Sequence, residues 1–368
     1  MVGQDPRVVA LLSQRMRQGG STGGGLPGGV ANQAIAALEN ALIDIKAKAA
    51  GMSVSELLGG PLHKMLPMYW TQCGNSRLDR GWTVAPDQPN SGKTPVRSYA
   101  DIEALGKEAV QQEGFKSIKS MIHIFDDGPS HLLPPSGSGP GNVTQELIDN
   151  IVNTQKAWRR GAGPNTLLKL DLNFNFRPEG YIRICKALEP VNMDWIELDI
   201  HDPAALRQIR DAAPMPIASL ECLYGRQQFK PYLEAGAVDV AIVDVIWNGI
   251  WESMKIASLC DTYGVNCAAH NFAGALGTAI SSHFLASIPN MRTLEYQHEQ
   301  PAWAAELFTA SPALVDGKLD VVELCSRPGW GVDVNEEALA RHPSRRPEWH
   351  GELPVNPNPT PNLLAAKL

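Results

Sequence analysis

The sequence predicts an α/β fold organised as one closed, TIM-like barrel with a smaller helical appendage. Three observations carry this. Short apolar runs alternate with amphipathic helical stretches from residue 66 onward. Eight such runs fall within residues 66–297, the size of a closed barrel. Ionisable residues near the ends of the later runs recur at the length of one strand–helix unit.

The eight runs are LPMYW (66–70), FKSIKSMIHI (115–124), LLKLDLNF (167–174), DWIELDI (194–200), MPIASLEC (215–222), VDVAIVDVI (238–246), VNCAAHN (265–271) and MRTLEYQ (291–297). Between them, stretches such as AALRQIRDAA and ESMKIASLCDTYG read as helices. Buried apolar strands alternating with helices indicate a parallel sheet. Ahead of the barrel, residues 31–50 (ANQAIAALENALIDIKAKAA) carry apolar residues at three- and four-residue spacing and read as a strong helix that Gly51 can end. MSVSELLGG reads as a short helix stopped by a glycine pair.

Three segments break the alternation. Residues 125–143 are too rich in Gly, Pro and Ser for a regular element and read as a long loop after the second strand, where barrel enzymes place lids. Residues 343–368 hold six prolines and read as an extended tail. The Gly-rich segment 19–29 lacks the GK[ST] ending of a phosphate-binding loop and reads as a connector.

Composition bounds the function. The chain has 368 residues, 43% hydrophobic and 19% charged, ordinary for a soluble globular protein. A net charge of -7 argues against nucleic-acid or anionic-membrane partners, which need a basic face. No apolar run is long enough for a membrane span, and the N-terminus has no apolar core of a signal peptide. Six scattered cysteines without a CxxC pair fit a reducing cytoplasm, with neither zinc nor disulfides.

The chemistry lies in the spacing. Asp171, Glu197, Glu221, Asp244, His270 and Glu295 follow one another at 26, 24, 23, 26 and 25 residues. Each therefore falls at a corresponding height on successive strands, where the C-terminal ends of a barrel ring one pocket. Three carboxylates on adjacent strands, Asp171, Glu197 and Glu221, repel one another in a desolvated pocket, and a bound divalent cation relieves that. Oxygen-only ligands favour a hard metal, Mg²⁺ first and Mn²⁺ second. Separate salt-bridge or helix-capping carboxylates are the plain alternative. Asp244 beside His270 has the character of an oriented general base, and Glu295 that of a hydrogen-bond partner or acid. Lys119, with Met121 and His123 on the same strand face by alternation, is a candidate electrophile or a balance for the acidic cluster.

The sequence resembles the enolase superfamily, in its mandelate racemase and sugar-acid dehydratase branch, over residues 30–340. ALENALIDIKAKAAGMSVSELLGG is similar to the family's helix and LLGG turn. LDLN, WIEL and ASLE match its three metal-ligand strands, at Asp171, Glu197 and Glu221. VDVIWNG and CAAH match the strands of its Asp–His dyad, at Asp244 and His270, and TLEY the glutamate of its last strand, at Glu295. PGWGVDVNEE is similar to the return into the capping domain. The resemblance implies a (β/α)7β barrel with a partial α+β capping domain. The expected parts are residues 1–64 for what remains of the cap, 65–320 for the barrel and 321–368 for the C-terminal return and tail. It also implies abstraction of the proton α to a carboxylate in a Mg²⁺-bound sugar acid, and a homo-oligomer.

The departures from the pattern narrow the reaction. The family's KxK reads Lys119-Ser120-Met121, so the second lysine, a base in the racemases, is absent. Asn173 stands where some dehydratases carry a histidine, and Leu198-Asp199 replace an acidic-Pro pair. The sheet that precedes the first helix in family members has no counterpart, as if the N-terminus were shortened. A one-base reaction remains, and the expected function is acid-sugar dehydration. The alternatives are a cycloisomerase or epimerase of the same superfamily, or a degenerate homologue that binds a ligand without turnover.

Overall fold

The computed structural model describes residues 3–19, 29–81, 93–133, 141–310 and 313–343. Most of the Gly-rich connector and nearly all of the Pro-rich tail lie outside these residues. The chain begins with three helices, α1 (Val9–Gly19), α2 (Gly29–Ala49) and α3 (Val54–Leu57). There follow β1 (Met65–Trp70), α4 (Tyr99–Gln111), β2 (Ser117–Ser120), the two short strands β3 (His123–Ile124) and β4 (His131–Leu132), and α5 (Gln145–Ala162). The chain then runs through β5 (Leu167–Asp171), α6 (Pro178–Leu188), β6 (Trp195–Glu197), α7 (Pro203–Ala212), β7 (Ile217–Ser219), α8 (Gly225–Glu234) and β8 (Val240–Val243). Next come α9 (Val245–Asn248), α10 (Ile250–Thr262), β9 (Asn266–Ala269), α11 (Ala275–Ala286) and β10 (Met291–Tyr296). It finishes with β11 (Ala313–Val315), β12 (Lys318–Asp320) and α12 (Glu336–Arg341).

Eight strands pair in parallel in the order β1-β2-β5-β6-β7-β8-β9-β10, and β10 pairs back with β1 to close the barrel. The antiparallel pair β11–β12 extends from the start of β1. All eight sequence-predicted strands are present, seven of them shorter and β1 one residue longer. The run 115–124 divides, with β2 in the barrel and β3 in a separate hairpin with β4. This corrects two expectations. His123 is not on the Lys119 face, because the chain leaves the barrel at Met121, and His123 instead meets the Asn75 side chain at 2.8 Å. Among its described residues, the segment 125–143 also contains one strand, β4.

Alternation within the strands builds two packed layers. Tyr69, Trp195, Ala218, Val240, Ile242 and Ala268 form a buried cluster of their own, separate from the larger core under the helices. Successive strand residues face opposite sides, so these six fill the barrel axis. Lys169 joins them, its Nζ 4.4 Å from the Trp195 ring centre and 2.9 Å from Asp194 Oδ2. Burial pulls the Lys169 ammonium down to about 8, with Asp194 opposing.

Side-chain caps set where the helices begin. Ser53, Ser98, Thr144 and Asp202 accept backbone N–H groups at the starts of α3, α4, α5 and α7, and Ser53 with Glu56 forms a full capping box. Helix α2 is pinned over the end of β8 by polar contacts. Asn32 donates to Trp247 O at 2.6 Å, and Asn40 Oδ1 and Glu39 Oε1 accept from Ile250 N and Trp251 N at 2.9 Å each. The linker between α9 and α10 must be glycine: Gly249 has φ +78°, and a Cβ there would collide with the Glu39 carboxylate. Among the described residues, no helix is long and apolar enough to cross a membrane.

Candidate active site

The site is built at the C-terminal ends of the barrel strands. Asp171 and Glu197 are the last residues of β5 and β6 and stand in register. Glu221 lies two residues beyond β7, and the path to it is irregular. Leu220 has φ +92°, a conformation that costs a branched residue about 1–3 kcal/mol unless its surroundings hold it. That break in strand alternation accompanies the turn of Glu221 over the barrel mouth. One carboxylate oxygen from each of Asp171, Glu197 and Glu221 lies within 4.8 Å of the others.

Lys119, from β2, sits among the acids. Its Nζ is 2.6 Å from Glu197 Oε1, 2.9 Å from Glu295 Oε1 and 3.5 Å from Asp171 Oδ2. Burial disfavours the ammonium, but Glu197 and Glu295 outweigh it and hold the lysine well above its ordinary value. Glu295, on β10, accepts from the Thr71 hydroxyl and from Asn271 N, the latter at 3.0 Å. Burial would raise its pKa, yet Lys119 and His270 bring it down to about 2. Glu197 goes the other way. Burial pushes it up to about 7 despite Lys119, and Trp195 Nε1 donates to its second oxygen at 3.2 Å.

His270 follows β9. Its Nδ1 lies 2.7 Å from Asp244 Oδ2, and its Nε2 lies 3.5 Å from Glu221 Oε2. The Asp244 carboxylate is itself fixed, because its other oxygen accepts Trp247 N at 2.7 Å as the N-cap of α9. It is thus both a helix cap and the partner of the imidazole. The ring nitrogen left over points at the carboxylate triad. Burial works against an imidazolium here, but Glu221 and Asp244 prevail and raise His270 to about 10. The Trp247 and Phe272 rings flank the imidazole at 5.1 and 5.2 Å.

The donor set suits a hard divalent cation. The oxygens come from three strands, and Glu221 Oε2 is buried with no hydrogen-bond partner. Burial also holds Glu221 well above the ordinary glutamate range. Beside that oxygen stands only the long 3.5 Å approach of His270 Nε2, so a cation among the three carboxylates would recover more of its desolvation.

The structure brings all seven sequence-predicted site residues into one cluster. It also adds three that spacing did not single out. Thr71 and the Asn271 backbone hold Glu295. Asp199, two residues past Glu197, is buried at 7% exposure and accepts from Ser219 Oγ at 3.1 Å and Leu220 N at 3.3 Å. Burial and then Asp171 push it up to about 6. No spacing signal marks Asp199, which lies two residues past the end of β6.

Comparisons with known proteins agree on the kind of protein this is. Residues 101–338 match the family model described as enolase C-terminal domain-like. Residues 1–59 match the mandelate racemase / muconate lactonizing enzyme N-terminal domain. A crystal structure of a putative L-alanine-DL-glutamate epimerase from Burkholderia xenovorans, bound to magnesium and fumarate, superposes with a TM-score of 0.86 at 39% identity, covering 93% of this chain and 82% of that one. A D-xylonate dehydratase of Haloferax volcanii is 26% identical over 93% of this chain and 77% of its own length. A D-mannonate dehydratase of Caulobacter sp. (strain K31) is 28% identical over 97% of this chain and 84% of its own.

Proposed function

The chain belongs to the enolase superfamily, and from that premise we propose that it is a Mg²⁺-dependent dehydratase of acid sugars. The observation that carries this reading is the single oriented base. His270 Nδ1 is held by Asp244 at 2.7 Å, which turns Nε2 toward the triad, 3.5 Å from Glu221 Oε2. The second lysine of the KxK pattern is replaced by Met121, a buried side chain whose sulfur takes the Asn75 amide at 3.0 Å. Racemisation needs a base on each face of the reacting carbon. Elimination of water needs one group that takes a proton and gives it back.

Asp171, Glu197 and Glu221 would hold the cation. When bound, Mg²⁺ supplies positive charge for the substrate carboxylate and offsets the carboxylate charge that otherwise keeps His270 protonated. The chain's own residues do the rest. His270 Nε2 takes the proton α to the carboxylate, and Asp244 stabilises the imidazolium. Lys119 adds positive charge beside the developing enediolate, held in place by Glu295 and Glu197. The electron pair then expels the β-hydroxyl, His270 returns its proton to the departing oxygen, and the enol rearranges to a 2-keto acid. A homo-oligomer in the cytoplasm completes this reading, and light scattering on purified protein tests the assembly.

Epimerisation is the second reading, favoured by the 39% likeness to a putative epimerase. A library of acid sugars assayed in deuterium oxide separates the two. Dehydration yields 2-keto product, whereas epimerisation exchanges the α-hydrogen without losing water. Mg²⁺-loaded protein that dehydrates no member of the library contradicts the first reading.

A further inference from the structure

We propose that Asp199 is a positioning residue that holds the third metal ligand, Glu221, in place through the backbone of Leu220. The proposal rests on the metal site described above.

β7 ends at Ser219, but its last residue paired with β6 is Ala218, so Leu220 N lies beyond the β6–β7 pairing. Leu220 N donates to Asp199 Oδ1, as does the Ser219 hydroxyl. The same carboxylate therefore grips two successive residues immediately before Glu221. Leu220 also needs holding, since its φ of +92° is one that glycine adopts freely and leucine does not. Its side chain is buried at 2% exposure, so the core anchors one side of the strained residue and Asp199 the other. Asp199 is fixed in turn, because its backbone N donates to Asn173 O at 3.2 Å, just beyond the ligand Asp171. The second carboxylate oxygen makes only a long contact, 4.0 Å to Cys222 Sγ. One acceptor oxygen thus takes both bonds that position Leu220.

The test is Mn²⁺ affinity, measured by calorimetry on the full chain without substrate. Asp199→Ala removes the acceptor and is expected to weaken binding 10–100-fold, as loss of a residue supporting a ligand typically does. Asp199→Asn keeps an acceptor oxygen in the same place and is expected to stay within about threefold of the original protein. Placing Leu220→Gly in the Asp199→Ala background removes the backbone strain and should recover much of the lost affinity. An Asp199→Ala protein that binds Mn²⁺ like the original overturns the proposal. So does an Asp199→Asn protein as weak as the alanine variant, which would make the charge itself decisive. If the original protein binds no Mn²⁺ at all, the metal reading fails and this inference falls with it.

Discussion

Replacing Lys119 with methionine removes the ammonium that Glu197, Glu295 and Asp171 share. Lys119 is 2% exposed, so water cannot take its place. At an effective dielectric near 20, each contact is worth about 5 kcal/mol of gross attraction, most of it offset by desolvation. Deleting one partner of a buried ion pair costs about 3–5 kcal/mol, because the desolvation remains. For a chain of this length that is a fall in Tm of roughly 4–6 °C in EDTA. The size should depend on pH. Glu197 already titrates at about 7, above an ordinary glutamate, so the folded chain holds a proton that the unfolded chain releases as pH rises from 4.5 to 7. Stability therefore falls with rising pH across that window, and loss of Lys119 widens it upward. The defect should be larger at pH 8 than at pH 6. Mg²⁺ should rescue the variant more than it stabilises the original protein, where 100-fold excess over Kd contributes about 2.7 kcal/mol. Thermal unfolding with EDTA or Mg²⁺ at both pH values checks this. A variant as stable as the original in EDTA, or one that gains less from Mg²⁺, refutes the reasoning.

Two further outcomes are expected. Asp244→Asn and His270→Asn should each slow 2-keto acid formation by about 10²–10⁴-fold, the usual weight of a general base; a variant of either kind with full activity would remove the dyad from the reaction. His283 is buried, accepts from Ser55 N at 3.1 Å, and is held by burial at about 4. The folded chain thus resists a proton that the unfolded chain takes up below 6.5, so stability present above 6.5 is lost as pH falls toward 4, by about 3 kcal/mol. Urea unfolding of His283→Gln at pH 7 and pH 4.5 should show a shallower loss than the original protein, and an equal loss would contradict the assignment.

The barrel was legible because parallel strands buried on both faces are nearly continuous apolar runs, such as VDVAIVDVI, whose spacing equals one unit of the fold. Their ends were less legible. MPIASLEC reads as one eight-residue strand, yet pairing stops at Ser219, and the break at Leu220 comes from tertiary contacts that no local pattern encodes. The triad and dyad could be read from the same periodicity, since equal spacing means equal height in a barrel. The supports could not. Thr71 reaches Glu295 across the closure of β10 on β1, and Asp199 reaches Leu220 across neighbouring strands. His123 was misplaced by alternation because the chain leaves the barrel two residues before it.

The central claim is that Asp171, Glu197 and Glu221 hold one divalent cation. Anomalous diffraction from crystals soaked in Mn²⁺ tests it most directly. The expected result is a single strong peak among the three carboxylates, about 2.0–2.2 Å from one oxygen of each, as a hard cation in Mg²⁺-like coordination requires. A map with no peak there, or a peak held by other residues, would contradict it.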